Sequence, residues 1–288
     1  NRGSSVVGRI ATYFAKLPIN LYFAHGFYFH DNQNFFTYYI TVQIERLLQI
    51  ITSHTMSQSS EDIDYMINKG YLPKQRATYV GNGINNIKFK PLEYKLPIRK
   101  KLGMPQNCYI IAAVGRLVKG KGFQDLIKAF SMIEEKEECY LLIVGGNISQ
   151  DISKYEQYII HLISKYNLEH RVMLTGMVEN VEEYLAASDL FVLSSYREGV
   201  SRSMLEAMSC KIPVISTNIR GSREIIQNKI NGLLYTKSDT EELYKLIMNV
   251  KNDKMLKNQL ISNAFNILNS FYTEELYNRR QIKTIMSV

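Results

Sequence analysis

The strongest constraint on this chain is a series of short runs that are apolar throughout, each divided from the next by a segment of helical period. In the second half the runs are Tyr109–Val114, Tyr140–Val144, Val172–Leu174, Leu190–Leu193 and Pro213–Ser216. Between them Phe123–Glu134, Lys154–Tyr166, Val181–Ala187 and Ser203–Ser209 place apolar residues at helical spacing. A strand that is apolar on both faces has to be covered on both, so this alternation predicts a parallel sheet with helices on either side. The first half repeats it: Val6–Lys16, Asn34–Gln49 and Ser60–Lys69 read as helices, and Leu21–Ala24, Ile50–Ser53 and Ala77–Val80 as strands. From Asn85 to Pro105 three prolines fall without a sustained period, which predicts a linker with one short helix. Glu241 to Met286 reads as successive helices. The expected organisation is α/β, with doubly wound domains over 1–90 and 106–270, a linker at 91–105, and a final helix over 271–288 that packs back on the first domain.

A chain of 288 residues suits two lobes, and 45% apolar with 22% charged residues disfavours disorder. Cys108, Cys139 and Cys210 stand far apart with no CxxC pair, which removes a zinc ribbon or disulfide framework and favours a reducing, cytoplasmic compartment. The longest apolar runs are strand-length, well short of the ~20 residues of a membrane helix. The opening Asn1-Arg2-Gly3-Ser4-Ser5 reads as a cut edge of a longer chain. The net charge of +8 is concentrated between Lys69 and Lys101, where nine Lys/Arg face one acid, Glu93. The balanced remainder argues against a nucleic-acid footprint. The strip itself reads as a solvated linker face or as a site for phosphates or anionic lipid, the latter giving peripheral contact with the inner face of a membrane together with aromatics Phe27, Tyr28, Phe29, Phe35, Phe36, Tyr38 and Tyr39.

Ligands of open α/β sheets sit beyond the carboxyl ends of the strands, so the strand-to-helix turns carry the functional information. The turn after Val114 reads Gly115-Arg116-Leu117-Val118-Lys119-Gly120-Lys121-Gly122, glycines and cations just before a helix, a composition suited to a phosphate-type anion. It matches neither GxGxxG nor a Walker loop. The turn after Leu193 runs Ser194-Ser195-Tyr196-Arg197-Glu198-Gly199-Val200-Ser201 into a helix carrying Glu206. Two carboxylates eight residues apart can accept hydrogen bonds from the hydroxyls of a sugar or ribose, or serve only as an acid near a helix start and a surface glutamate. Two further turns read Thr175-Gly176-Met177-Val178-Glu179-Asn180 and Thr217-Asn218-Ile219-Arg220-Gly221-Ser222-Arg223-Glu224.

Taken in order, Gly-Arg-x4-Lys-Gly, Glu-x7-Glu, Glu206-Ala207-Met208, Pro213-Val214-Ile215, Arg220-Gly221, Arg223-Glu224 and Asn231-Gly232 resemble the nucleotide-sugar half of a retaining family 4 glycosyltransferase of GT-B fold, built from two Rossmann-like domains. Ala24-His25-Gly26-Phe27-Tyr28-Phe29, Ile44-Glu45-Arg46-Leu47 and Tyr79-Val80-Gly81-Asn82-Gly83-Ile84 resemble the last part of the acceptor domain in capsular and exopolysaccharide members, so the first domain is expected to be incomplete, without its opening βα units.

The resemblance implies transfer of a hexose-type sugar from a nucleotide sugar, UDP-sugar by default, to a glycan or polyprenyl-diphosphate-linked acceptor, without cofactor or metal. It assigns the donor diphosphate to Arg116 and Lys121, close to Gly115, and the sugar hydroxyls to Glu198. Glu206 takes the ribose, and backbone around Gly176 and Val178 takes the base. The amides of Gly199 and Val200, leading to Ser201, face the distal phosphate, and His25 contacts the transferred sugar. Lys211 and Gly145-Gly146-Asn147 depart from the family pattern. Asp62-Ile63-Asp64 imitates a metal-binding DxD but lies in a helical pattern and reads as surface charge. A non-catalytic nucleotide-sugar-binding module and a GT-B-fold sugar-nucleotide epimerase are the competing readings, the Gly-Arg-x4-Lys-Gly with Glu-x7-Glu pairing speaking against the latter.

Overall fold

The computed structural model describes residues 2–27, 34–147 and 153–288; Tyr28 and Phe29 of the aromatic cluster lie outside them. The described chain forms two compact units, one of Asn1–Gly83 with Glu274–Val288 and one of Ile84–Thr273.

The first unit runs α1 (Arg2–Phe14), β1 (Leu21–Ala24), α2 (Phe35–Ile50), β2 (His54–Ser57), α3 (Ser60–Asn68) and β3 (Ala77–Tyr79). Its strands form a parallel sheet in the order β1-β2-β3. A small core of Tyr22, Ala24, Phe27, Val42, Met66 and Leu72 lies within it. Arg9 of α1 is buried, pairs with both oxygens of Glu45 on α2 at 2.6 and 3.0 Å, and lies 3.7 Å from the Tyr22 ring centroid, so two helices and a strand share one desolvated cation.

Two expectations change here. β2 stands four residues beyond the predicted Ile50–Ser53, because Ile50 ends α2 and the strand itself is three-quarters polar. Its polar side chains are buried by pairing sideways, Thr55 Oγ1 donating to Gln49 at 2.8 Å and His54 Nε2 meeting Thr78 Oγ1 at 2.8 Å. Asp62, expected as surface charge, is 2% exposed; its Oδ2 accepts the Phe27 amide at 2.6 Å, so the carboxylate holds the end of the β1 turn.

The second unit begins with α4 (Leu96–Lys101) and continues β4 (Tyr109–Val114), α5 (Phe123–Ser131), β5 (Cys139–Val144), α6 (Lys154–Lys165), β6 (Val172–Leu174), α7 (Val181–Ala186), β7 (Leu190–Leu193), α8 (Arg202–Ser209), β8 (Val214–Thr217), α9 (Arg220–Arg223), β9 (Leu233–Tyr235), α10 (Thr240–Asn252) and α11 (Lys254–Ile267). All six strands are parallel, in the order β6-β5-β4-β7-β8-β9. Alternate residues of each strand feed opposite cores. Ile111, Ala113, Leu141, Ile143 and Val192 pack with α5, α6 and α10, while Ile110, Ala112, Leu142, Val144 and Phe191 pack with α7, α8 and the end of α11. Both faces are covered, which is why these strands read as unbroken apolar runs.

The division between units falls at Gly83, ahead of the segment 91–105. That segment is docked on the second unit: Arg99 is 5% exposed and pairs with Asp189 at 2.6 Å, and Lys95 reaches Asp189 at 2.8 Å. Other cations of the basic strip are engaged as well, while Lys69, Lys74, Lys90 and Lys100 are exposed. Lys88 pairs with Glu182, Lys101 with Glu183, and Arg76 donates to the Gln49 and Ser53 carbonyls. The last helix, α12 (Glu274–Met286), groups with Asn1–Gly83: Arg280 Nε donates to the Val80 carbonyl at 2.9 Å and Tyr277 meets Phe23 edge to face. Among the described residues no helix is long and apolar enough to cross a membrane.

Candidate functional site

The strand order of the second unit reverses direction at β4 and β7. The chain leaves β4 toward β5 and β6 on one side, and returns through β7 toward β8 and β9 on the other. Turns leaving two such neighbours diverge and leave a crevice beyond their carboxyl ends, the usual ligand position of this architecture. The pairing of β4 with β7 is confined to Ile111–Leu190 and Ala112–Phe191. The turns that emerge there are Gly115–Gly122 and Ser194–Ser201, the two with the most chemistry in the sequence.

They are stitched together by backbone. The Tyr196 amide donates to the Gly120 carbonyl at 2.8 Å, and Ser194 Oγ donates to the Lys121 carbonyl at 2.9 Å. Gly122 makes the approach possible: it turns left-handed at φ 65°, and a Cβ there would stand 2.0 Å from the Ser194 carbonyl oxygen. On the opposite side Gly221 lets the turn after β8 close on the same loop, since a Cβ would stand 1.9 Å from the Gly199 carbonyl oxygen.

Inside this frame the structure brings Gly115, Lys121 and Glu198 together. The Lys121 stem runs over Gly115, whose missing Cβ would stand 3.2 Å from Lys121 Cε. Lys121 Nζ pairs with Glu198 Oε1 at 2.5 Å, with the side chains 22% and 19% exposed, and Ser195 Oγ donates to the same carboxylate oxygen at 2.8 Å. A cation and a carboxylate in mutual contact at a ligand position can exchange partners, the ammonium for an incoming anion and the carboxylate for hydroxyls. Arg116 is exposed one turn earlier and makes no ion pair among the described residues.

Gly199 is exposed, Val200 is buried, and Ser201 precedes α8 without capping it, its hydroxyl lying 3.1 Å from that of Ser203. The first turn of α8 holds no acid, so its positive end faces the loop without a carboxylate of its own. Glu206 lies deeper on α8 and apart from Glu198. Burial pushes its pKa up, Arg202 and Lys88 oppose that shift, and Glu182 adds to it. Arg202, which the sequence reading passed over, has Nε 4.0 Å from Glu206 Oε1; its i,i+4 spacing was the available signal. Gly176 and Val178 lie in the turn after β6, where the Gly145 amide donates to the Gly176 carbonyl at 3.1 Å. His25 is exposed at the end of β1, its ring edge-on to Phe23, and belongs to the first unit. Among the described residues no group of three potential metal ligands occurs.

Comparison with known proteins places this geometry in a family. Residues 95–267 match the model of glycosyl transferases group 1. The chain is 27% identical over 277 residues to the UDP-Gal:alpha-D-GlcNAc-diphosphoundecaprenol alpha-1,3-galactosyltransferase of Escherichia coli, covering 92% of this chain and 70% of that protein. It is 25% identical over 265 residues to the capsular polysaccharide biosynthesis glycosyltransferase CapM of Staphylococcus aureus, covering 91% and 68%. Among solved structures, Anabaena Alr3699/HepE in complex with UDP superposes with a TM-score of 0.88 at 23% identity, over 100% of this chain and 77% of that one, which establishes the two-domain GT-B architecture. With the matched segment spanning the switch-point turns and both carboxylates of Glu-x7-Glu, the chain belongs to the group 1 glycosyltransferases.

Proposed function

We propose that this glycosyltransferase moves a hexose-type sugar, with retention, from a nucleotide sugar to a glycan or polyprenyl-diphosphate-linked acceptor in cell-surface polysaccharide synthesis, with UDP-sugar as the donor. The observation that carries this reading is the Lys121–Glu198 pair at the switch point, 2.5 Å apart beside a helix start with no acid of its own. On donor binding the Lys121 ammonium would pass from Glu198 to the diphosphate, joined by Arg116, and the freed Glu198 carboxylate would accept the sugar hydroxyls. Cations fixed where negative charge develops on the leaving group can supply what a divalent ion supplies elsewhere, so the reading requires neither metal nor cofactor. The leaving phosphate oxygen takes the acceptor's proton on the same face of the sugar, and no separate base is assigned. His25 is assigned to the transferred sugar on resemblance.

The test is incubation with radiolabelled UDP-sugars and a polyprenyl-diphosphate-linked acceptor in the presence of EDTA. Label should pass to the lipid, and Glu198→Ala or Lys121→Ala should reduce the rate by about 10²-fold or more. Transfer abolished by EDTA and restored by Mn²⁺ would overturn the metal-free reading. Donor binding with no transfer to any acceptor would favour the non-catalytic module.

A further inference from the structure

Behind the switch-point loop lies a chain of hydroxyl and amide groups that the reading above does not use. Tyr155 on α6 donates its hydroxyl to Gln124 Oε1, Gln124 donates its amide to the Tyr196 oxygen, and Tyr196 in turn donates to Asp125 Oδ2 at 2.8 Å. Gln124 and Asp125 are buried, 8% and 5% exposed, and occupy the first turn of α5 directly after Lys121 and Gly122. The Asp125 carboxylate sits where a helix start favours negative charge, and the Tyr196 hydroxyl gives it a charge-assisted bond. The Lys237 ammonium stands 4.9 Å from the Tyr196 ring centroid and adds a cation–π contact. Burial, and then Asp125, push the Tyr196 pKa up to about 12, so the phenol keeps the proton it donates.

Tyr196 is two residues before Glu198 and its amide is already fixed to Gly120. The same residue is therefore held at both ends, by backbone to the lysine turn and by hydroxyl to the helix that follows that turn. We propose that Tyr196 and Asp125 are positioning residues that lock the Ser194–Gly199 loop to the Gly115–Gly122 turn, setting the Lys121–Glu198 separation for a diphosphate-linked sugar. The inference rests on the donor assignment made above. It selects for the diphosphate and sugar end of the ligand and leaves the nucleoside end untouched, because among the described residues the hydrogen bonds of the clamp run to Gln124, Asp125 and Gly120 and not to Glu206, Gly176 or Val178.

The experiment uses the full chain and two readouts. Hydrogen exchange of ligand-free Tyr196→Phe should quicken by about tenfold or more at the Ser194–Val200 amides and stay unchanged in β4 and α10. Calorimetric titration should show UDP affinity reduced by about tenfold while UMP affinity is retained. Asp125→Asn keeps an oxygen acceptor for the phenol and should stay near wild type, whereas Asp125→Leu should reproduce Tyr196→Phe, and the double variant should be no worse than either single one. If Tyr196→Phe does not fold, Tyr155→Phe, which leaves Gln124 held from one side, should give the same split with a smaller amplitude. Unchanged exchange at Ser194–Val200 would overturn the clamp. Equal losses for UMP and UDP would make Tyr196 merely structural and overturn the positioning role. A wild-type chain that holds no UDP, with exchange still quickened by Tyr196→Phe, would instead overturn the donor assignment and take the positioning role with it.

Discussion

At Glu206 the fold and the proposed chemistry pull in opposite directions. Burial raises its pKa above the ordinary glutamate value, so folding disfavours the carboxylate relative to the unfolded chain, while a ribose is best held by the carboxylate. The sign of the pH dependence follows. An acid whose folded pKa is raised adds stability below its unfolded pKa, and that contribution is lost as pH rises through the folded one. Toward higher pH Glu206 therefore costs stability, and there Glu206→Gln should melt at the same temperature or higher while binding UDP about tenfold more weakly. Titration calorimetry with a thermal melt on the same samples reads both. A lower melting temperature with unchanged UDP affinity would make Glu206 a structural residue. This division was half legible: the eight-residue spacing marks both glutamates in the sequence, but it cannot say that Glu198 meets Lys121 while Glu206 is buried near Glu182 and Lys88. Those neighbours come from segments distant in sequence, and only the parallel sheet assembles them.

Among the elements, α4 depends most on others for its existence. Six residues without a capping side chain are too few to persist as an isolated helix. What holds it is Asp189, just before β7, which takes Lys95 from just ahead of α4, Arg99 from within it and the Ile110 amide from β4, while Arg99 also donates to the Ala187, Gln106 and Cys108 carbonyls. Burial works to raise the Asp189 pKa, but Lys95, the Ile110 amide and Arg99 together hold it below the ordinary aspartate value. With a depressed folded pKa the contribution is present above the unfolded value and lost as pH falls through the folded one. Asp189→Ala leaves Arg99 buried without its partner and should cost about 3 kcal/mol in chemical denaturation near neutral pH, the difference from wild type shrinking at strongly acid pH. A loss below about 1 kcal/mol would show that the carbonyls alone hold α4. The prolines and lysines around α4 read as a linker with one short helix; that the segment docks on the second unit was not legible, because its partner, Asp189, lies 90 residues beyond Arg99. Elements carrying their own apolar period, such as β4, β6 and β7, were read to the residue. β9 was not seen, being three residues after Asn231-Gly232 with no room for a period.

For the whole molecule, the consequence lies in where the second unit begins and ends. The Ile84 amide donates to the Tyr272 carbonyl at 3.0 Å, and Ile84 and Thr273 form a parallel bridge, so the two ends of Ile84–Thr273 meet at one point. The unit carries both apolar cores of the six-stranded sheet, and every residue assigned to the nucleotide lies within it. The first unit differs: its helices leave Phe14, Phe35, Phe36 and Ile50 more than 70% exposed around a three-stranded sheet. Excised Ile84–Thr273 should therefore unfold in one cooperative transition and bind UDP within about twofold of the full chain, since a compact unit with its own core folds independently of its neighbours. Transfer should vanish in the excised unit, because His25 and the rest of the acceptor-side assignment belong to Asn1–Gly83. Calorimetry on the excised unit beside the full chain checks the first claim and the labelled-sugar assay the second. UDP affinity lost on excision would place part of the donor site on the first unit, and full-rate transfer by the excised unit would remove any role for His25.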